Sequence, residues 1–303
     1  MRTNDDSLGD GEFAATTTVD MLPLAPGHAR ARLDFGARTH VGYVRPNNED
    51  QYLIIRAWKS LEVLASSLPP DPGEPLTDRE AFFLMVADGM GGCAGGERAS
   101  ALALRATQRH VRETAKWFFR LNDPDERLRL RLLREALERL DREIIEEGEA
   151  DPELAGMGTT LTAASIIGSD LFIVHVGDSR AYLFRDGRLE QLTHDHTLTQ
   201  EMVDQGLLRP EEARTHRMRH MLTNVLGGKP GVKGEIVKER LHGGDRLLLC
   251  TDGLNDTVND EQIAELLRGH ADPGEACHAL VEAALAAGGR DNITALIAAY
   301  WIE

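Results

Sequence analysis

Five aspartates in this chain stand where structured runs give way to turns. Asp50 closes Arg45-Pro46-Asn47-Asn48-Glu49, and Asp88 lies in Val86-Ala87-Asp88-Gly89-Met90-Gly91-Gly92. Asp178 lies in Gly177-Asp178-Ser179-Arg180, Asp252 in Thr251-Asp252-Gly253 and Asp291 in Gly289-Arg290-Asp291-Asn292. A lone Asp-Gly is commonly no more than a turn, but carboxylates at the ends of several packed strands can converge on one rim. A buried ion without a partner is costly, and crowded like charges push their pKa values up. The pattern therefore calls for cations. Ligation by oxygen alone suits magnesium or manganese, and the absence of Cys and His at these junctions argues against zinc and copper. The expectation is a two-metal centre with room for a third ion. Two such ions can turn a water into a nucleophile at neutral pH and clamp the oxygens of a phosphoryl group during in-line displacement. Arg45 taken alone is an ordinary surface arginine, but in this company it could bind phosphate oxygens bidentately.

Strands have to hold these carboxylates. Ala81 to Ala87 (AFFLMVA) is too short for a free-standing helix and too apolar for a surface, so it reads as a buried strand ending at Asp88. Strand-like runs HVGYV and QYLII flank the Arg45 to Asp50 loop and are expected to pair as a hairpin, which would bring Arg45 and Asp50 to one sheet edge. Helices are expected over Glu97 to Phe119 and Asp125 to Glu147. In the second, Leu130, Leu133, Leu137, Leu140 and Ile144 recur at helical spacing. Strands then follow over Thr159 to Ile167, Leu171 to Val176, Arg180 to Arg185 and Leu189 to Leu192, with a hairpin turn at Asp186-Gly187. His194 to Gly228 is a polar, helix-like excursion laid over the sheet edge. Further on come a strand at Arg246 to Cys250, helices at Asp260 to Leu267 and Pro273 to Ala287, and a last strand at Ile293 to Ile302. Residues 1–30 lack periodicity and read as a flexible leader, and the Pro-rich stretch 58–80 reads as a surface insertion.

With 303 residues and 42% hydrophobic content, the chain can bury a sizeable core. Its 34 basic and 50 acidic residues leave a net charge of −16, which argues against nucleic acid or an anionic membrane as a partner, since both need a basic footprint. The cysteines Cys93, Cys250 and Cys277 have no CxxC spacing, which suggests a reducing compartment and no disulfide framework. No segment reaches the roughly 18 apolar residues needed to span a bilayer. Asp5, Asp6, Asp10 and Glu12 replace the basic start of a signal peptide, so a cytoplasmic location is expected.

Taken in order, VRPNNED, VADGMGG with GGERAS, GMGTTLTAA, VHVGDSRAYLFRDG, LTHDHT, LLLCTDGLND and GGRDNITALIAAY closely resemble the bacterial branch of the metal-dependent protein phosphatases (PPM, or protein phosphatase type 2C). The resemblance runs from about residue 33 to 302, within a domain expected to span 31–303. It implies an α+β fold, a four-layer α-β-β-α sandwich of two antiparallel sheets with the metal centre at one sheet edge. It also implies hydrolysis of phosphoserine and phosphothreonine in proteins by a metal-activated water, without a covalent phosphoenzyme. Carried onto this chain, Asp88 bridges two Mn2+ or Mg2+ ions. The Gly89 carbonyl and Asp50, directly or through water, would serve one ion, Asp252 and Asp291 the other, and Asp178 matches the aspartate that helps hold a third, weaker ion together with the Asp252 position. Arg45 matches the phosphate-binding arginine, and about 194–220 matches a mobile flap. Met90 stands where eukaryotic relatives carry a histidine, which leaves the proton donor unassigned, and Cys93 stands where many relatives have histidine. His194, Asp195 and His196, like the i,i+4 pair His216 and His220, have the types of metal ligands but fall in the flap and are read as its surface. Asn292 is expected to brace the Asp291 loop. The implied partners are phosphorylated proteins and a cognate serine/threonine kinase, with a monomer expected. The competing reading is a regulatory module of the same fold, either non-catalytic or dedicated to one signalling partner.

Overall fold

The apolar run at Ala81–Ala87 is buried along its whole length because both of its faces are covered. Phe82, Leu84 and Val86 point to one side, Ala81, Phe83, Met85 and Ala87 to the other, as the two-residue period of a strand requires. The computed structural model describes residues 12–20, 31–59, 79–118, 126–228 and 231–302. The chain begins with β1 (Glu12–Asp20), β2 (Ala31–His40), β3 (Asp50–Lys59) and β4 (Arg79–Met90), followed by helices α1 (Gly92–Phe118) and α2 (Glu126–Ala150). Next come β5 (Gly158–Thr159), β6 (Leu161–Ile167), β7 (Asp170–Val176), β8 (Arg180–Arg185) and β9 (Arg188–Gln191), then α3 (Leu198–Asp204) and α4 (Pro210–Ala213). The chain closes with β10 (Glu235–Arg240), β11 (Arg246–Cys250), α5 (Asp252–Asn255), α6 (Asp260–Gly269), α7 (Pro273–Ala286) and β12 (Ile293–Ile302).

Two antiparallel sheets result. One has the order β1-β2-β12-β11-β8-β9, the other β10-β7-β6-β4-β3 with β5 paired to the end of β4. Leu33, Phe35, Leu247, Leu249 and Leu296 of the first sheet meet Phe82, Leu84, Ile166 and Ile173 of the second. The rings of Phe35 and Phe82 lie 5.4 Å apart between centroids. Outside the second sheet, Ala99 and Ala103 of α1 and Leu137, Leu140 and Ile144 of α2 cover Phe83 and Met85. Outside the first, Leu254, Ile263, Leu280 and Val281 cover Tyr182, Leu248 and Ile297. The expected α-β-β-α sandwich is therefore present, each sheet burying two faces. Local signals agree with it. Asn259 and Gln262 form a capping box at the start of α6, Asp272 caps α7, and Asp186 and Gly187 turn from β8 to β9 with φ of 52° and 75°.

Several expectations need correction. The runs around Arg45 are not a hairpin: β2 ends at His40 and lies in the first sheet, while β3 lies in the second, so 41–49 crosses between sheets. Both flanking runs are apolar, and nothing in apolar alternation says which sheet a strand joins. Helix α1 starts at Gly92, inside the glycine stretch that reads as a turn. Strand β10 was not anticipated, because EIVKER is a partly exposed edge with weak alternation. Within the expected leader, Glu12–Asp20 pairs with β2, from Glu12 opposite His40 to Asp20 opposite Arg32. The rest of the leader, the insertion from 60 to 78 and the side chain of Cys93 lie outside the described residues. Trp58 and Lys59 extend β3, and Arg79 and Glu80 open β4. Among the described residues, no helix is long and apolar enough to cross a membrane.

Candidate active site

Asp50, the first residue of β3, lies directly opposite Asp88 in the β3–β4 ladder, so the second sheet brings two carboxylates side by side. The first sheet supplies the next pair. Asp252 follows β11 and opens α5, while Asp291 lies in the loop before β12. Asp178 occupies the crossover from β7 to β8, between the two sheets. One cleft is lined by Arg45, Asp88, Gly89, Asp178, Asp252 and Asp291, and Asp50 lies buried beside Asp88. The structure thus brings together every residue singled out from the sequence for this site.

The Asp50 carboxylate is held across the sheets. Its Oδ2 accepts hydrogen bonds from Thr251 Oγ1 and Thr294 Oγ1, each at 2.7 Å. Asn292 ties the surrounding loops. Its Oδ1 accepts from Glu49 N at 2.7 Å, and its Nδ2 donates to Val41 O and Asn47 O at 2.8 and 2.9 Å. This bracing fixes the Arg45 to Asp50 crossover against the Asp291 loop. The glycines around Asp88 permit close packing: a Cβ on Gly89 would collide with the Gly96 carbonyl, and one on Gly96 would stand 2.6 Å from Glu49 Cδ. Arg45 reaches over the rim, its Nη2 2.6 Å from Asp291 Oδ2.

Charge in the cleft is concentrated and poorly compensated. Burial, opposed by the two threonine hydroxyls and reinforced by Asp252 and Asp291, pushes Asp50 up to about 7. Burial and the neighbouring carboxylates, Asp50 first among them, hold Asp88 well above its ordinary value, and burial with Asp252 and Asp195 does the same for Asp178. Two buried carboxylate oxygens, Asp50 Oδ1 and Asp252 Oδ1, have no hydrogen-bond partner. In native proteins such buried polar atoms are rarely left unsatisfied. An all-oxygen, multiply anionic pocket with two orphaned oxygens fits hard divalent cations.

Sequence reasoning passed over several residues here. His220, read as flap surface, lines the cleft and places Nδ1 3.3 Å from Asp256 Oδ2 and 3.8 Å from Asp252 Oδ2. The interaction with Asp252, then the charge of Asp256, raise its pKa. Its i,i+4 spacing to His216 was the wrong signal, because the useful partner is Asp256, distant in sequence. Thr251 and Thr294 carried no signal beyond adjoining strand ends. The other flap residues anchor the excursion. Arg180 holds Asp195 bidentately, with Nη2 to Oδ2 at 2.6 Å, His194 Nε2 lies 2.7 Å from Asp204 Oδ2, and His196 Nδ1 accepts from Gly177 N at 3.0 Å.

The family model described as Protein phosphatase 2C matches residues 76–287. The serine/threonine protein phosphatase PstP of Mycobacterium tuberculosis is 39% identical over 266 residues, covering 88% of this chain and 45% of PstP. The chain therefore spans less than half the length of that relative. The serine/threonine phosphatase stp of Listeria monocytogenes is 35% identical over 215 residues, covering 71% of this chain and 83% of that protein. A crystal structure of the PstP catalytic domain in complex with two manganese ions superimposes with a TM-score of 0.69 at 37% identity, covering 89% of this chain and 99% of that domain. The four-layer sandwich, the aspartate-lined cleft at its sheet edge and these likenesses agree: the chain belongs to the protein phosphatase 2C family.

Proposed function

We propose that this chain hydrolyses phosphoserine and phosphothreonine in proteins by direct attack of water, at a centre of two manganese or magnesium ions with a third, weaker site. Asp50, Asp88, Asp252, Asp291 and the Gly89 carbonyl would hold the two principal ions, and Asp178 would serve the third with Asp252. The observation that carries this reading is the pair of buried, unpartnered oxygens Asp50 Oδ1 and Asp252 Oδ1 among converging carboxylates. When bound, the ions lower the pKa of a water and neutralise charge on the phosphoryl oxygens.

The protein's own groups do the rest. Thr251 and Thr294 tether Asp50 Oδ2 and leave Oδ1 as its free donor. Arg45, half exposed at the rim and paired with Asp291, exchanges that contact for the phosphate, whose oxygens match a guanidinium fork. Asn292 keeps Arg45 and Asp291 in register by joining their loops. Residues 31–303 form the phosphatase domain in this proposal, about 194–220 act as its flap, and the enzyme works as a cytoplasmic monomer on the products of a serine/threonine kinase.

The test is hydrolysis of p-nitrophenyl phosphate and a phosphothreonine peptide with manganese or magnesium, then with excess EDTA. Activity should appear with metal and vanish with chelator. Folded protein inactive under every metal condition would overturn the proposal in favour of a non-catalytic binding module.

A further inference from the structure

Thr160 stands at a junction that the proposed chemistry does not use. It lines the cleft beside Asp88 and Asp178, yet it is buried. Thr159 and Thr160 grip both backbone groups of Asp88. The Asp88 N–H donates to Thr160 Oγ1 at 2.9 Å, and the Asp88 carbonyl accepts from Thr160 N at 2.9 Å and from Thr159 Oγ1 at 2.8 Å. The same Thr160 Oγ1 lies 2.7 Å from Ser179 Oγ, also buried, in the crossover that carries Asp178. One hydroxyl therefore joins the strand of Asp88 to the loop of Asp178.

The crossover fits Thr160 closely. Gly177 has a φ of 106°, and a Cβ there would come within 2.5 Å of Thr160 Cγ2, so the loop can settle on that side chain only with glycine at this position. Thr162, two residues on, adds a second tie by donating from Oγ1 to Ser179 O at 3.1 Å. The start of the flap holds the same loop from its other side: His196 N donates to Gly177 O at 2.8 Å, and Gly177 N donates to His196 Nδ1 at 3.0 Å. Asp178 thus lies between the second sheet and the flap, and the Thr160–Ser179 bond ties it to the sheet.

Resting on the phosphatase reading of the same cleft, we propose that Thr160 and Ser179 are positioning residues that set the affinity of the third ion by holding Asp178 in register with Asp88. Both act through the aspartates, Ser179 on Asp178 and Thr160 on Asp88 and Asp178 together. The two hydroxyls therefore have different expected effects.

Calorimetric titration of the full chain with manganese reads the affinities of the tight and weak ions separately, and hydrolysis of p-nitrophenyl phosphate against manganese concentration checks that the ions serve the reaction. Ser179→Ala should weaken the third ion about tenfold, the lower end of what losing a support behind metal ligands costs, and leave the two tighter ions as in the wild type. Thr160→Val keeps the shape but leaves the Asp88 N–H without its acceptor, and should weaken all three. Thr160→Ser retains the hydroxyl and should keep wild-type affinities. Adding Ser179→Ala to Thr160→Val should weaken the third ion no further, as for two residues that share one bond. A Ser179→Ala variant that loses thermal stability with every affinity unchanged, or that weakens all three ions alike, would overturn the inference, and this arm stands even where Thr160→Val fails to fold. A Thr160→Ser variant as weak as Thr160→Val would overturn it as well. Metal-dependent hydrolysis by a wild-type chain that binds two ions and no third would overturn this inference and leave the two-ion reading standing. A folded wild-type chain that binds no manganese would overturn both.

Discussion

Stripped of divalent ions, the protein should lose stability as pH rises from 5 to 8. Asp50 carries most of the argument. Burial pushes its pKa from the ordinary 3.8 up to about 7, so in this range the folded state keeps a proton that the unfolded chain has released. Where the folded state binds more protons, stability falls with rising pH. The contribution is therefore fully present below the unfolded value and is lost as pH passes through the folded one. A gap of about 3 pH units at about 1.4 kcal/mol each amounts to about 4 kcal/mol, of which about 3 kcal/mol falls between pH 5 and 8. Asp88 and Asp178, raised in the same direction, add to it. For a domain of this size that corresponds to a fall in Tm of roughly 10 °C. Thermal unfolding of EDTA-treated protein across this range measures it, and Asp50→Asn is the control. The net charge of −16 also repels more as pH rises, but the variant keeps nearly all of that charge, so a shallower slope in the variant assigns the fall to Asp50 together with Asp88, whose pKa the Asp50 charge helps raise. Saturating manganese, which binds only the folded state, should remove the fall. Metal-free protein as stable at pH 8 as at pH 5, or an undiminished slope in Asp50→Asn, would refute the reasoning.

Asp88→Asn and Asp252→Asn should each cut turnover of p-nitrophenyl phosphate by orders of magnitude while the circular dichroism spectrum stays folded, since each removes a charge from the proposed centre. Asp178→Ala should lower activity while calorimetry still counts two tightly bound manganese ions, and loss of all metal would contradict its assignment to a third site. Arg45→Ala should weaken phosphate recognition, seen as a higher KM, and unchanged kcat and KM would remove it from the site.

The five aspartates were legible because each stands beside a short run of clear type: Asp88 lies two residues before the end of β4, Asp252 just after β11, Asp178 between β7 and β8, and Asp50 and Asp291 at or just before the start of β3 and β12. Their convergence was legible only on the condition that the strands pack into sheets sharing a rim; charge then added that carboxylates so gathered need cations. Sheet membership was not. The crossover carrying Arg45 read as a hairpin because β2 and β3 look alike in composition, and which sheet each joins is decided by other partners: β12, over 200 residues away, beside β2, and β4 beside β3. Strand β10 escaped because an edge strand needs only half of a pattern. The threonines that hold Asp50 escaped because a hydroxyl at a strand end has many uses and only register selects one. His220 escaped because its carboxylate neighbours come from another element, α5 and the turn after it.

The hydrogen bonds from Thr251 and Thr294 to Asp50 join one sheet to the other at the edge where the cleft opens. Ions held by Asp50 and Asp88 from one sheet and by Asp252 and Asp291 from the other would extend that joint, riveting the two layers at one end. The seating of the layers then becomes part of the binding constant. A slip caused far away, for instance by a cavity where Phe35 meets Phe82 in the middle of the sandwich, would misalign the donors and register first as weaker metal binding, while the fold itself still stood.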